Sequence, residues 1–158
     1  MDIARGLIDT LKRAAGTLHG AGIPYCLAGG LAVSMLARPR ATEDVDLIVL
    51  AEGDELSRLE SLLCSAFEVI QVSPVRRFAR ASIWRFIVAA GPPVNLVILD
   101  LILADRPEYR MAVQQAVTID LDGTAVAVIT PANLIAVKQL AGRPIDLLDI
   151  DSLRNHSE

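Results

Sequence analysis

Short apolar runs along the chain alternate with segments whose apolar residues return every three or four positions, the pattern of strands interleaved with helices. In the first segment Ile3, Leu7, Leu11, Ala14 and Leu18 draw one apolar stripe along a helix, which "GAGIP" (20–24) ends. "YCLA" (25–28) predicts a short strand, Gly29-Gly30 a turn, and "LAVSMLA" (31–37) a helix stopped by "RPR", because a residue before proline avoids helical dihedrals. "DVDLIVL" (44–50) is apolar on both alternating faces beyond its acids, as in a central strand covered on both sides. A helix over 54–66 follows, with Asp54 near its start and Leu56, Leu59, Leu62 and Leu63 on one side. "FEVIQV" (67–72) reads as a strand. "SIWRFIVAA" (82–90) and "VNLVILDLIL" (94–103) flank "GPP", a connection too short for a parallel crossover, so they form an antiparallel pair.

Further on, Pro107 opens a helix over "PEYRMAVQQA", and "VTIDLDGTAVAVI" (117–129) gives two strands about an Asp-Gly turn. Thr130 caps and Pro131 opens "PANLIAVKQLA" (131–141), and a last helix covers "PIDLLDIDSLR" (144–154) before a polar tail. With no internal repeat or linker, residues 1–158 read as one α/β (α+β) domain with a mixed sheet, a core over about 23–128 and a C-terminal helical pair over about 131–154.

Composition narrows the class. The chain is 158 residues long and 53% hydrophobic, enough for a real core, and its formal net charge of −4 argues against broad electrostatic binding to nucleic acid. Cys26 and Cys64 show no metal spacing and read as reduced core thiols, and His19 and His156 lie near opposite ends of the chain, so neither a zinc site nor a disulfide framework is expected. Charged residues interrupt the N-terminal apolar pattern, which excludes a signal peptide or membrane span there and points to the cytoplasm.

The chemistry begins at Asp44 and Asp46, two residues apart, whose side chains leave one face of a strand while Val45 leaves the other. Two carboxylates that close repel and are costly to desolvate unless a divalent cation joins them or solvent bathes the strand's edge. Mg²⁺ suits such a site, since it takes one or two carboxylates together with substrate phosphates. Asp100 interrupts an apolar strand on the face shared by Val94, Leu96, Ile98 and Ile102; it completes a three-carboxylate cluster if its strand neighbours residues 44–50, and otherwise pairs with an arginine such as Arg85 or turns to solvent at a bulge. Gly29-Gly30 ahead of a helix allows a polyphosphate to approach the backbone at a positive helix terminus, or is an ordinary tight turn. The chain contains neither GxGxxG nor GxxxxGK[ST], so no Rossmann or P-loop assignment follows.

This series, Gly29-Gly30, a helix, Asp44-Val45-Asp46-Leu47 and then Asp100 on a later strand, resembles the DNA polymerase β-like nucleotidyltransferase superfamily. "RATEDVDLIV", "LDLILADRPEYRMAVQQA" and "TPANLIAVKQLAGRPIDLLDIDSL" are similar to its small bacterial branch, which includes abortive-infection-type toxin nucleotidyltransferases. The resemblance implies that Gly29 and Gly30 hold the phosphates of a nucleoside triphosphate, that Asp44, Asp46 and Asp100 bind Mg²⁺ or Mn²⁺, and that Asp100 helps to activate the attacking group. The implied reaction is transfer of a nucleoside monophosphate to an acceptor hydroxyl on tRNA, a protein or a small molecule, with release of pyrophosphate. Rival readings are a non-catalytic binding or regulatory protein of the same fold, such as a component of a toxin–antitoxin pair, and a metal-dependent phosphate hydrolase.

The branch also carries a Lys and an Arg-x-x-Asp-x-x-Asp pattern, matched here by Lys138, Arg143, Asp146 and Asp149. Lys138 lies among apolar neighbours and either reaches the nucleotide's phosphates or snorkels to the surface. Asp146 and Asp149 share a helix face and suit a brace with Arg143 or Lys138. Arg38 and Arg40, Thr42 before the acids, the Arg76, Arg77 and Arg80 loop cluster and Asn95 carry weaker signals, each compatible with solvation or local bracing.

Overall fold

The computed structural model describes residues 3–91 and 95–156. In chain order its elements are α1 (Ile3–Gly20), β1 (Tyr25–Ala28), α2 (Gly29–Leu36), β2 (Asp44–Val49), α3 (Glu55–Ala66), β3 (Val69–Val72), β4 (Arg76–Arg77), β5 (Ser82–Ala89), β6 (Leu96–Leu103), α4 (Pro107–Gln114), β7 (Val117–Leu121), β8 (Thr124–Val128), α5 (Pro131–Ala141) and α6 (Pro144–His156). The strands form one mixed sheet in the order β3-β5-β6-β2-β1-β8-β7, with β4 paired to β5 beside that path. Helices flank the sheet and α5 packs on α6, so the fold is the mixed α/β class with a C-terminal helical pair that the pattern predicts.

The apolar periodicities account for the core. Leu7, Leu11, Ala14 and Leu18 of α1 are buried, and α1 packs on β8 and α3, whose Leu59 and Leu63 are closed off from solvent. Val45, Leu47, Ile48 and Val49 of β2 are fully buried in the interior of the sheet, where α1, α2 and α4 pack on the strand. The loop-to-helix step at Thr130 forms as expected: its hydroxyl accepts the Asn133 N–H at 3.2 Å, and Pro131 occupies the first turn. Asp122 (φ 49°) and Gly123 (φ 87°) make the tight β7–β8 turn, both with positive φ as this hairpin geometry demands.

Several local expectations change. The helix predicted over 31–37 starts earlier, at Gly29, so the glycine pair forms its first turn instead of a separate loop. Arg76 and Arg77, read as loop residues, form β4 against Ile83 and Ser82. Cys26 is buried, but Cys64 is exposed on α3 and is not a core thiol, because it lies off the Leu59–Leu63 stripe. The strand expected from Val94 begins at Leu96; Asn95 precedes it, and Val94, the two prolines of "GPP", the Ile3 side chain and residues 157–158 of the tail lie outside the described residues. Among the described residues no helix is long and apolar enough to cross a membrane.

Candidate active site

Strand register builds the site. β2 runs parallel to β6 with Asp46 opposite Asp100, and β5 runs antiparallel to β6 with Arg85 opposite Asp100, giving a polar row Asp46–Asp100–Arg85 across three strands. Asp44 is one pleat repeat from Asp46 on the same face. The carboxylates of Asp44, Asp46 and Asp100 offer oxygen atoms that all lie within 4.8 Å of one another. On the other side of β2, Ala28 is opposite Asp46, so the chain leaves β1 and enters α2 directly beside the acids.

The two glycines make that approach feasible. Gly29 has φ +66°, and a Cβ there would fall 2.1 Å from Asp46 Oδ2, so any side chain would collide with the carboxylate. A Cβ on Gly30 would come within 2.8 Å of Arg40 Nη2 and 3.1 Å of Thr42 Oγ1. The backbone at the start of α2 is therefore bared towards a carboxylate and a guanidinium. The Asp44 N–H donates to Thr42 Oγ1 at 3.4 Å, which holds the loop ahead of β2.

Electrostatically the cluster is under-compensated. Burial, Asp100 and Asp44 push the Asp46 carboxyl up to about 7 against the opposing pull of Lys138 and Arg143. Burial and then Asp100 also raise Asp44, with Arg85 opposing. The direct counter-charge is Arg85, whose Nε and Nη2 donate to Asp100 Oδ1 and Oδ2, both at 2.9 Å, from a side chain that is 46% exposed. The two alternatives for Asp100, joining the cluster or pairing with Arg85, thus hold together. Three converging carboxylates, two of them held above the usual range by like charge and burial, fit a divalent cation: all-oxygen donors are the set Mg²⁺ or Mn²⁺ takes. Any cation there would have to compete with Arg85 for Asp100. Arg85→Gln is expected to tighten Mn²⁺ binding to the nucleotide-free protein by about three- to tenfold, a modest gain because the guanidinium is half in solvent. Titration followed by the Mn²⁺ electron paramagnetic resonance signal measures it, and weaker binding would exclude the competition.

A second network closes the cleft. Lys138 on α5 is 5% exposed, and its Nζ lies 3.3 Å from Asp146 Oδ1 and 3.0 Å from Asp149 Oδ2 on α6. Arg143 donates its Nε to Asp146 Oδ2 at 2.8 Å and Nη2 to Oδ1 at 3.2 Å, while Arg40 Nε pairs with Asp149 Oδ1 at 3.0 Å. Burial opposes ionisation of Asp146, but the side-chain and backbone hydrogen bonds from Arg143 outweigh it and hold the carboxyl below its usual range. Lys138 is therefore no surface lysine; it is clamped between two buried acids while also lining the cleft. That cleft, about 1010 Å³, brings Gly29, Gly30, Asp44, Asp46, Asp100 and Lys138 to one cavity. Arg40 was indistinct in sequence because its partner lies 109 residues away. Arg76, Arg77 and Arg80 stay outside this cavity: Arg77 lies 3.9 Å from Asp105, and Arg80 donates to the Leu140 carbonyl at 2.8 Å.

A mixed sheet bearing a helix-initial glycine pair, an Asp-x-Asp on one central strand and a third Asp on its neighbour is the architecture of the polymerase β-like nucleotidyltransferase superfamily. The family model for the nucleotidyl transferase AbiEii toxin of type IV toxin–antitoxin systems matches residues 17–155, and the chain belongs to that family. Among solved structures it is similar to an antigenic nucleotidyltransferase-like protein from Paracoccidioides brasiliensis, at 25% identity and a TM-score of 0.68 over 93% of this chain and 74% of that one. A nucleotidyltransferase-fold protein from Thermotoga maritima matches at 12% identity and a TM-score of 0.63, covering 93% and 91% of the two chains. ANT(2″)-Ia, solved in complex with adenylyl-2″-tobramycin, matches at 17% identity and a TM-score of 0.54 over 94% and 86%. The last two likenesses concern the fold alone. None of the curated proteins matches the chain.

Proposed function

We propose that the protein is a Mg²⁺- or Mn²⁺-dependent nucleotidyltransferase that moves a nucleoside monophosphate from a nucleoside triphosphate to an acceptor hydroxyl. The observation that carries this reading is the convergence of Asp44, Asp46 and Asp100 within 4.8 Å beside the bared backbone of Gly29-Gly30. Asp44, Asp46 and Asp100 would hold the cation, which when bound supplies charge neutralisation at the α-phosphate and the leaving oxygen. The start of α2 offers backbone N–H groups to the β- and γ-phosphates, with Lys138 as a point charge at the cleft wall. The acceptor oxygen bonds to the α-phosphorus, the bond from that phosphorus to the bridging oxygen breaks, and pyrophosphate leaves with the electron pair. Asp100, in the middle of the polar row, would take the hydroxyl proton. Positioning and charge neutralisation do most of this work, as is general for phosphoryl chemistry.

The test is incubation with each α-labelled nucleoside triphosphate, Mg²⁺ or Mn²⁺, and fractionated bacterial RNA, protein and small molecules. Label should pass to one fraction with the parent and not with Asp44→Ala. Equal labelling by both would remove the assignment, and release of free nucleotide without acceptor labelling would make the protein a hydrolase. Following the family's description as a toxin, we assign the same reaction the growth-arresting role, in a cytoplasmic host setting and opposed by an antitoxin gene product; expression of the parent should arrest bacterial growth and Asp44→Ala should not. The Arg85–Asp100 pair favours one second reading, a binding protein in which Asp100 stays engaged and no turnover occurs. It predicts nucleotide binding with no labelled product in any fraction.

A further inference from the structure

One pleat repeat beyond the polar row the same sheet face becomes apolar. Ile48, Ile102 and Ile83 follow Asp46, Asp100 and Arg85 in register, forming a second row behind the first. Leu134 and Val137 of α5, Tyr109 of α4 and Phe78 from the β4–β5 turn close over this row and leave a cavity of about 390 Å³. That is within the size range of small-molecule sites, which are mostly apolar with few polar groups. Gly29, Lys138 and Arg143 line both this cavity and the acidic cleft, so the two spaces join at Gly29 and Lys138, the residues assigned above to the triphosphate, with Arg143 beside them.

The lip of the cavity is rigidly built. Phe78 is 57% exposed, yet its turn is strapped in place: the Phe78 N–H donates to the Ala81 carbonyl at 2.8 Å, the Tyr109 hydroxyl to the Arg80 carbonyl at 2.9 Å, and Arg106 to the Ala79 carbonyl. An aromatic ring held at a cavity mouth without burial has a face available for stacking. The polar groups around the cavity already have partners, Arg80 with the Leu140 carbonyl and Lys138 and Arg143 with Asp146. Such a site recognises shape and a π-face better than a hydrogen-bonding edge.

We infer that this cavity receives the heterocyclic base of the donor nucleotide, with Phe78 stacking on it and the isoleucine row as its floor. This rests on the function proposed above, since the base is placed by a triphosphate anchored at Gly29, Gly30 and the acids. It makes Phe78 and Val137 determinants of nucleotide affinity although neither touches a phosphate. The alternative source of a base is the acceptor, and the experiment separates the two.

The experiment is isothermal titration of the full chain with Mg·ATP and with Mg·tripolyphosphate, which has the phosphates and no base. Phe78→Ala removes the stacking face, and Ala141→Trp, at an exposed lining position, fills the cavity mouth; both changes are at the surface and should leave the thermal melt as in the parent. The expected result is that each variant binds Mg·ATP about 5- to 100-fold more weakly while Mg·tripolyphosphate binds as in the parent, and that Phe78→Trp restores ATP binding. Unchanged ATP affinity in both variants would overturn the inference and leave the acceptor as the source of any base bound there. Parallel loss of ATP and tripolyphosphate would overturn it too, as a general disturbance. A parent that binds neither compound would remove the proposed function itself, a result distinct from the failure of the cavity alone.

Discussion

Asp46→Asn should make the metal-free protein more stable at pH 8 while abolishing nucleotidyl transfer. The Asp46 carboxyl is pushed up to about 7 by burial, then by Asp100 and Asp44, so the folded protein keeps a proton that the unfolded chain gives up near pH 4. Between those values the native state binds more protons, and stability falls as pH rises through them. The gap of about three pH units corresponds to at most about 4 kcal/mol of strain in the ionised, metal-free site. Asparagine removes the charge and most of that strain. The melting temperature of Asp46→Asn should exceed the parent's by several degrees at pH 8, up to about 15 °C at the limit, and the difference should shrink towards zero at pH 4. Mg²⁺ should raise the parent's melting temperature and close the gap, because a bound cation stabilises only the native state. Transfer should fall by on the order of 10³-fold or more, as when about 4 kcal/mol of transition-state stabilisation is removed. A variant no more stable than the parent at pH 8 would show that the acids are not in conflict; one that still transfers would remove Asp46 from the metal.

The same proton links metal affinity to pH. A cation needs Asp46 ionised, so Mn²⁺ affinity should hold above pH 7 and weaken by up to about tenfold per pH unit below it.

The parts of this site that were legible in sequence are those with a local cause. Asp44 and Asp46 announce a shared face because strands alternate, and Thr130-Pro131 and Asp122-Gly123 announce a helix start and a turn because side-chain capping and positive φ are single-residue properties. The antiparallel pairing of β5 and β6 followed from the short connection between them. What was conditional in sequence was the parallel register that sets Asp46 opposite Asp100, since 54 residues separate them and only packing selects the pairing. β4 was missed because two arginines carry no strand signal; pairing with Ile83 and Ser82 creates it. The exposure of Cys64 was likewise hidden, as it directly follows Leu62 and Leu63 and only the placement of Leu59 and Leu63 against the core decides which side faces out. The Arg40–Asp149 contact spans the chain and had no periodic trace.

Lys138→Ala should cost more stability than any surface substitution, about 2–4 kcal/mol, because it leaves Asp146 and Asp149 buried with only Arg143 and Arg40 for compensation. The network Arg40–Asp149–Lys138–Asp146–Arg143 alternates in sign and joins the loop before β2 to both C-terminal helices, so removing its centre strands two charges at once. Its stabilising action follows Asp146: a carboxyl held below its usual range contributes above the unfolded-chain value and loses that contribution as pH falls through the folded one. The penalty of Lys138→Ala should therefore be largest near neutral pH and diminish in acid, the reverse of the Asp46 profile. Lys138→Met combined with Asp146→Asn and Asp149→Asn removes the three buried charges together, leaves the more exposed Arg40 and Arg143 to solvent, and should recover most of the loss, since neutral side chains of similar volume carry little desolvation cost. Urea denaturation of the single and triple variants measures this. The triple variant also separates the two parts assigned to Lys138. If the lysine only braces the helices, a refolded triple variant binds Mg·ATP as the parent does; if it is also the cation facing the triphosphate, affinity falls tenfold or more in a protein of near-parent stability. The clamp of two acids at 3.0 and 3.3 Å leaves one ammonium donor for the cleft, and the second outcome is the one expected.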